Sequence, residues 1–121
     1  MTLDTNILIA YFDGDAVVVD FIIREKEDGH AIFVSSVAVA ELLSLPALTD
    51  AYLQRFKNFI SDLISVPFDN TLAETAADLR RRYKLSLPDA AIAATALNHH
   101  SPLVTRDKGF RKVKELTFVD L

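Results

Sequence analysis

Four acidic side chains stand where predicted strands end and helices or loops begin. Asp4 follows the first apolar residues of the chain, and Glu41 lies in the first turns of the helix after the second predicted strand. Asp89 falls in the first turn of an Ala-rich helix, and Asp107 comes two residues after "LVT". In parallel α/β sheets, ligands bind beyond the carboxyl ends of the strands. The four carboxylates are therefore predicted to converge at that edge.

Such a cluster favours a bound cation. Two carboxylates ~5 Å apart repel by about 3 kcal/mol at an effective dielectric of ~20, so a group of four either takes up protons or binds a cation. An all-oxygen site without Cys or His is typical of Mg²⁺ or Mn²⁺, which polarise phosphoryl oxygens and activate water. The alternative is helix capping, for which Asp89 is the clearest case. The apolar neighbours of Asp4 and Glu41 argue against an unpaired charge without a function there.

Hydroxyl and amide side chains next to these acids are candidates for orienting them. Thr5 and Asn6 are predicted to orient Asp4, and Thr105 to hold Asp107 or a metal-bound water. Helix capping by Thr5 or Asn6, and a strand-end hydroxyl turn at Thr105, remain open alternatives.

The elements that would position these residues alternate strand and helix. The predicted strands are a very short one ending near Leu3, then "HAIFVSS", "ISVPF", "PLVT" and "LTFVDL". The predicted helices are Asn6 to Phe12, Ala16 to Glu27, "VAVAELLSL" with Ser36 as N-cap, the amphipathic "DAYLQRFKNFISDLI", a helix from a Thr71/Glu74 capping box through Tyr83, and "SLPDAAIAATALNHH" with Pro88 in its first turn. "RDKGFRKV" is predicted to form a loop and a helical turn.

This alternation predicts an α/β fold. We expect a three-layer α/β/α sandwich around a central, mostly parallel sheet of about five strands, in a single domain spanning residues 1–121. There is no cysteine, and the net charge is −4. Any nucleic-acid role must therefore use a local basic patch or a metal ion. The chain shows neither a transmembrane pattern nor a signal peptide, and we expect a cytoplasmic protein with no membrane partner.

Four segments together resemble a known family. "LDTNILIAYF", "SSVAVAELLS", "LPDAAIAATAL" and "LVTRDKGF", in this order, are similar to the PIN domain, specifically the small VapC-type toxins of type II toxin–antitoxin systems. The resemblance spans essentially the whole chain. It implies an endoribonuclease that uses Mg²⁺, with Mn²⁺ as substitute, and acts as the toxin of such a pair.

The resemblance also implies roles for individual residues. The acidic positions of the family fall on Asp4, Glu41, Asp89 and Asp107, which would hold one or two metals, and its polar and hydroxyl positions fall on Asn6 and Thr105. The implied partners are an RNA substrate, a cognate antitoxin that crosses the active site, and a second copy of the chain in a homodimer.

Basic residues are the candidates for RNA contact. Arg106, Lys108, Arg111 and Lys112 flank Asp107, while Arg80 and Arg81 belong to the run "RRRYK". The run also suits a helix C-terminus, where cations stabilise the dipole.

Apolar residues in the second and fourth predicted helices are core or partner surface. If Phe21 and Phe56 are exposed, replacing them with Ala should weaken association without unfolding the chain. If they are core, the same changes should unfold it.

Other functions remain open. A phospho-acceptor receiver domain has this length, but it needs an acidic pair after the first strand and a late lysine. Here Thr5 follows Asp4, and the late strand ends "LVTRD". A nuclease of the same fold acting in RNA maturation or on DNA flaps, and a catalytically silent RNA-binding module, are the remaining alternatives.

Overall fold

The chain folds around five short strands that form one parallel sheet. A computed structural model describes residues 1–121. The strands are β1 (Thr2–Leu3), β2 (Phe33–Ser35), β3 (Ile64–Val66), β4 (Leu103–Val104) and β5 (Phe118–Val119). Their order is β3-β2-β1-β4-β5, and every neighbouring pair is parallel. The α/β prediction is therefore confirmed, with an entirely parallel sheet.

Six α-helices connect the strands. They are α1 (Thr5–Phe12), α2 (Ala16–Glu27), α3 (Ser36–Leu43), α4 (Asp50–Ser61), α5 (Asn70–Tyr83) and α6 (Leu87–Asn98), followed by a 3-10 helix at Lys108–Lys112. None of these helices combines the length with the apolar character that a membrane-spanning segment needs.

Helix α1 begins at Thr5, one residue before the predicted start, and two predicted N-cap residues are wrong by one or two positions. Ser35, not Ser36, caps α3, because its hydroxyl accepts from the Val37 amide, while the Ser36 hydroxyl accepts from the Phe68 amide. Asp69 caps α5 and replaces the predicted Thr71/Glu74 capping box, since its carboxylate accepts from the Leu72 amide. In both cases the polar residue nearer the preceding strand is the one that caps the helix. Pro88 lies in the first turn of α6, as predicted.

Helix α6 forms the centre of the core. Every residue from Ala90 to Ala96 is buried, and the helix packs against α5, β1 and β2. Alanine lets the helix backbone approach the sheet closely, and the one polar residue in the stretch, Thr95, donates its hydroxyl hydrogen to the Ala91 carbonyl. The Ala-rich segment is thus a packing element, and it fixes the helix whose first turn carries Asp89.

The aromatic residues of α4 divide between core and surface. Phe56 and Phe59 are buried against Phe12, with ring centroids 4.2 and 5.2 Å from it. Phe56 is therefore core, which decides between the two interpretations that its sequence left open. Phe21 is half-buried, and Tyr52 is exposed.

Candidate active site

Asp4 is a buried carboxylate at the end of the central strand. It occupies the N-cap position of α1, yet its side chain caps nothing. Instead, one carboxylate oxygen accepts a hydrogen bond from the Thr105 hydroxyl at 2.8 Å. The residue is only 4% exposed, and this burial raises the pKa of Asp4, with further contributions from the charges of Asp89 and Asp107. Helix capping therefore does not explain why an acid stands here.

Thr105 connects two of the acidic residues across the sheet. It follows β4, which pairs with β1, and its buried hydroxyl donates to Asp4 while accepting from the Asp107 amide at 3.0 Å. The Asp4 amide in turn donates to the Val104 carbonyl at 3.1 Å. Thr105 was expected to hold Asp107 or a water. It contacts Asp107 through the backbone and holds the side chain of Asp4.

Thr5 has a different partner from the predicted one. Its hydroxyl donates to a carboxylate oxygen of Glu41 at 2.8 Å, so it orients Glu41 and not Asp4. This bond joins the first turn of α1 to α3, which pack against each other. Asn6, the next residue of α1, is exposed and lines the same cavity as Glu41.

Asp89 lies in the first turn of α6, where Ser86 already provides the cap. The Asp89 amide donates to the Ser86 hydroxyl at 3.2 Å, so the capping role does not fall to the Asp89 carboxylate. Partial burial raises the pKa of Asp89, and the charges of Asp107 and Glu41 raise it further, while Lys112 opposes them.

Asp107 has a second, local function. One of its carboxylate oxygens accepts from the Gly109 amide at 2.8 Å and caps the 3-10 helix. A Cβ atom added at Gly109 would lie 3.0 Å from that oxygen. Gly109 therefore lies in close contact with the Asp107 carboxylate, a proximity that the sequence pattern does not reveal.

The four acids line one cavity of about 210 Å³ at the carboxyl ends of β1 and β4. Its walls are formed by Asp4, Thr5, Asn6, Glu41, Asp89 and Asp107, with the apolar side chains of Ile9 and Leu45. The strand order reverses between β1 and β4, so the cavity lies at the topological switch point of the sheet. The predicted convergence is therefore confirmed for all four carboxylates.

No cationic side chain forms an ion pair with the carboxylates of this cavity. None of the ion pairs of the chain involves any of the four acids. As the side chains stand, no three of them lie close enough together to hold a metal ion among themselves. Their donor chemistry nevertheless suits Mg²⁺, which usually binds through one or two carboxylates and keeps several waters.

The candidate RNA-contact cations fall into separate groups. Arg106 contacts Asp15 through two nitrogens, at 2.7 and 3.1 Å, and Arg111 contacts Asp120. Lys108 and Lys112 form no ion pair. Arg80 and Arg81 line a different cavity on α5, so the structure does not bring them to the acidic cavity.

Comparisons with known proteins agree with this architecture. The family model of the PIN domain matches residues 1–116. Ribonuclease VapC10 of Mycobacterium tuberculosis is 29% identical over 99 residues, which cover 78% of this chain and 72% of that protein.

Solved structures show the same fold. A toxin–antitoxin complex from Klebsiella pneumoniae contains a chain with a TM-score of 0.80 and 27% identity, covering 99% of this chain and 98% of that one. VapBC2 from Rickettsia felis, solved with a DNA fragment from its promoter, gives a TM-score of 0.85 at 20% identity, over 98% of this chain and 96% of that one. The match of the family model over nearly the whole length decides the assignment: this chain belongs to the PIN domain family.

Proposed function

We propose that this protein is a metal-dependent endoribonuclease, the toxin of a toxin–antitoxin pair, acting in the cytoplasm. One observation carries the proposal: four carboxylates without ion-pair partners line a single cavity at the switch point of a PIN-domain sheet. The relative named Ribonuclease VapC10 and the toxin–antitoxin complex from Klebsiella pneumoniae support it.

The acids of the cavity and the threonines that orient them have different proposed roles. The four acids Asp4, Glu41, Asp89 and Asp107 form the donor set that would hold a Mg²⁺ or Mn²⁺ ion. A divalent cation there would neutralise charge on the phosphoryl oxygens and lower the pKa of water. The Thr105 hydroxyl fixes Asp4, and the Thr5 hydroxyl fixes Glu41, so two of the four acids are oriented before substrate arrives. A carboxylate that is not engaged by metal would accept the proton of the attacking water.

The test is cleavage of a mixed tRNA and rRNA pool in Mg²⁺ or Mn²⁺. Asp89→Asn is the informative variant, because the Ser86 cap uses the Asp89 amide and survives the change. Asp62→Asn is the matched control, an exposed acid paired with Lys26. Discrete products from wild type and Asp62→Asn, absent with EDTA and with Asp89→Asn, would support the proposal.

Two results would contradict it. Equal cleavage by wild type and Asp89→Asn would indicate a contaminating nuclease. A folded wild type that binds Mn²⁺ and RNA but yields no product would instead favour a PIN domain that binds RNA without cutting it.

The proposed partners are an antitoxin and a second copy of the chain. The Klebsiella pneumoniae complex supports an antitoxin partner. Exposed apolar side chains on α2 and α4, namely Val17, Ile23 and Tyr52, are available for such contacts. Light scattering should give twice the 13.5 kDa chain mass, and a value of one chain mass would contradict the dimer.

A further inference from the structure

A second cavity, of about 320 Å³, opens beside the acidic one. Its lining includes Thr105, Arg106, Asp107, Lys108, Arg111 and Asp120. Asp107 lines both cavities, and Thr105 reaches from the wall of this one to the buried Asp4. The two cavities therefore adjoin at Asp107.

The three cations of this basic cavity are held differently. Arg106 is fixed by two contacts to Asp15 and a third to the Leu121 carbonyl at 3.2 Å, so it anchors the end of the chain. Arg111 lies over the Phe118 ring, 4.6 Å from its centroid, and contacts only one carboxylate, that of Asp120. Lys108 contacts no carboxylate.

Arg111 is consequently a guanidinium whose one carboxylate partner is easily displaced. Asp120 is 68% exposed in its side chain, and exposed ion pairs contribute only about 0–1 kcal/mol. A phosphodiester offers two oxygens to the planar guanidinium of Arg111. The ammonium of Lys108, which lines the same cavity and does not contact Asp120, adds a second positive charge. The Phe118 ring lies against the guanidinium and would hold it in place if its partner changed.

We propose that this basic cavity binds a backbone phosphate of the RNA strand, adjacent to the phosphodiester held in the acidic cavity, and that Asp120 occupies Arg111 until the RNA displaces it. The inference rests on the proposed function, since it deepens the description of the same site. It also accounts for how a chain of net charge −4 receives an anionic strand next to four carboxylates.

The test is the binding of a fluorescein-labelled single-stranded RNA, followed by anisotropy in EDTA so that no cleavage occurs. Arg111→Gln removes the proposed contact, and its matched control is Arg55→Gln, another arginine stacked on an aromatic ring, at 5.3 Å from that of Tyr52. Asp120→Asn releases Arg111, and its matched control is Asp62→Asn, a 63% exposed acid that also pairs with a cation.

The two variants should change affinity in opposite directions. We expect Arg111→Gln to weaken binding about tenfold, and to reduce the slope of log affinity against log salt by about 0.7, the value for one lost single-strand phosphate contact. We expect Asp120→Asn to strengthen binding by up to about fivefold, the equivalent of the exposed ion pair that it removes. A variant that merely misfolds cannot produce this gain.

The outcomes separate this inference from the proposed function. If Arg111→Gln equals Arg55→Gln and Asp120→Asn equals Asp62→Asn, the phosphate subsite is refuted, whether or not wild type cleaves RNA. If the variants differ as expected but wild type with Mn²⁺ yields no product, the subsite stands and the nuclease proposal fails.

Discussion

The Thr105→Val substitution tests how Asp4 is held. The two side chains are close in shape, so the change removes the hydroxyl group and leaves the packing nearly intact. The lost bond is charge-assisted, because the acceptor is a carboxylate that is only 4% exposed. Hydrogen bonds to charged groups contribute about 1.5–3 kcal/mol. The Asp107 amide also loses its acceptor, but Asp107 is exposed, so water can replace it. We expect a loss of about 2 kcal/mol in the free energy of unfolding at pH 8.

The pH dependence makes this prediction specific. Burial raises the pKa of Asp4, and the Thr105 hydroxyl opposes that shift. The variant should therefore have a higher Asp4 pKa in the folded state only. A carboxyl whose pKa is raised by folding makes the folded state less stable as pH increases from its unfolded pKa through its folded one. The deficit of Thr105→Val should thus shrink to about 1 kcal/mol at pH 4, where Asp4 is increasingly protonated and the lost bond approaches a neutral one.

Urea unfolding at pH 4 and pH 8 measures the loss in the free energy of unfolding at each pH. The dependence of that free energy on urea concentration is compared between variant and wild type to exclude a change in the denatured state. Thr105→Ser is the control, since it keeps the hydroxyl and loses only a methyl group. A deficit independent of pH, or a serine variant as unstable as the valine variant at pH 8, would refute the account of Asp4.

Three further predictions follow from burial and close contacts. In EDTA at pH 8, Asp4→Asn should unfold at a higher urea concentration than wild type, because it removes a desolvated charge. The difference between the two urea midpoints should decrease toward pH 4, where Asp4 is increasingly protonated. Mn²⁺ should stabilise wild type but not the variant. By the same measurement, Phe56→Ala should lose about 3–5 kcal/mol as a core truncation, and Phe21→Ala less, since Phe21 is half-buried; equal losses would contradict this. Gly109→Ala should lower the free energy of unfolding by at most about 1 kcal/mol, the size of a weakened cap, and should lower RNA cleavage, because its Cβ would lie 3.0 Å from the Asp107 carboxylate and shift it; unchanged cleavage would contradict this prediction.

The sequence predicted the sheet and the positions of the acids for a physical reason. Buried parallel strands are near-continuous apolar runs, and the residue after such a run is forced to the carboxyl edge, where Asp4 and Asp107 lie. The hydrogen-bond partners of the two threonines could not be predicted from the sequence. Thr5 follows Asp4, and Thr105 lies two residues before Asp107, so each threonine has an acid close to it in sequence. Only the orientation of α1 against α3 determines that the Thr5 hydroxyl donates to Glu41.

The cation pairings show the same limit. A basic residue beside Asp107 is predicted to contact substrate, but Arg106 forms an ion pair with Asp15, 91 positions away in sequence. That partnership depends on where the N-terminus of α2 lies in three dimensions. The sequence signal available was Asp15 itself, whose carboxylate also caps α2 through the Val18 amide.

The central position of β1 has a consequence for biosynthesis. β1 gains its second neighbour only when β4, at Leu103–Val104, is available, and the hydrogen bond that holds Asp4 spans 101 positions. Domains fold as units as the chain emerges during synthesis, and long-range strand pairing is slow. A nascent chain therefore carries Asp4 and Glu41 long before Asp89 and Asp107 exist. The acidic cavity can therefore assemble only after Asp107 has been synthesised.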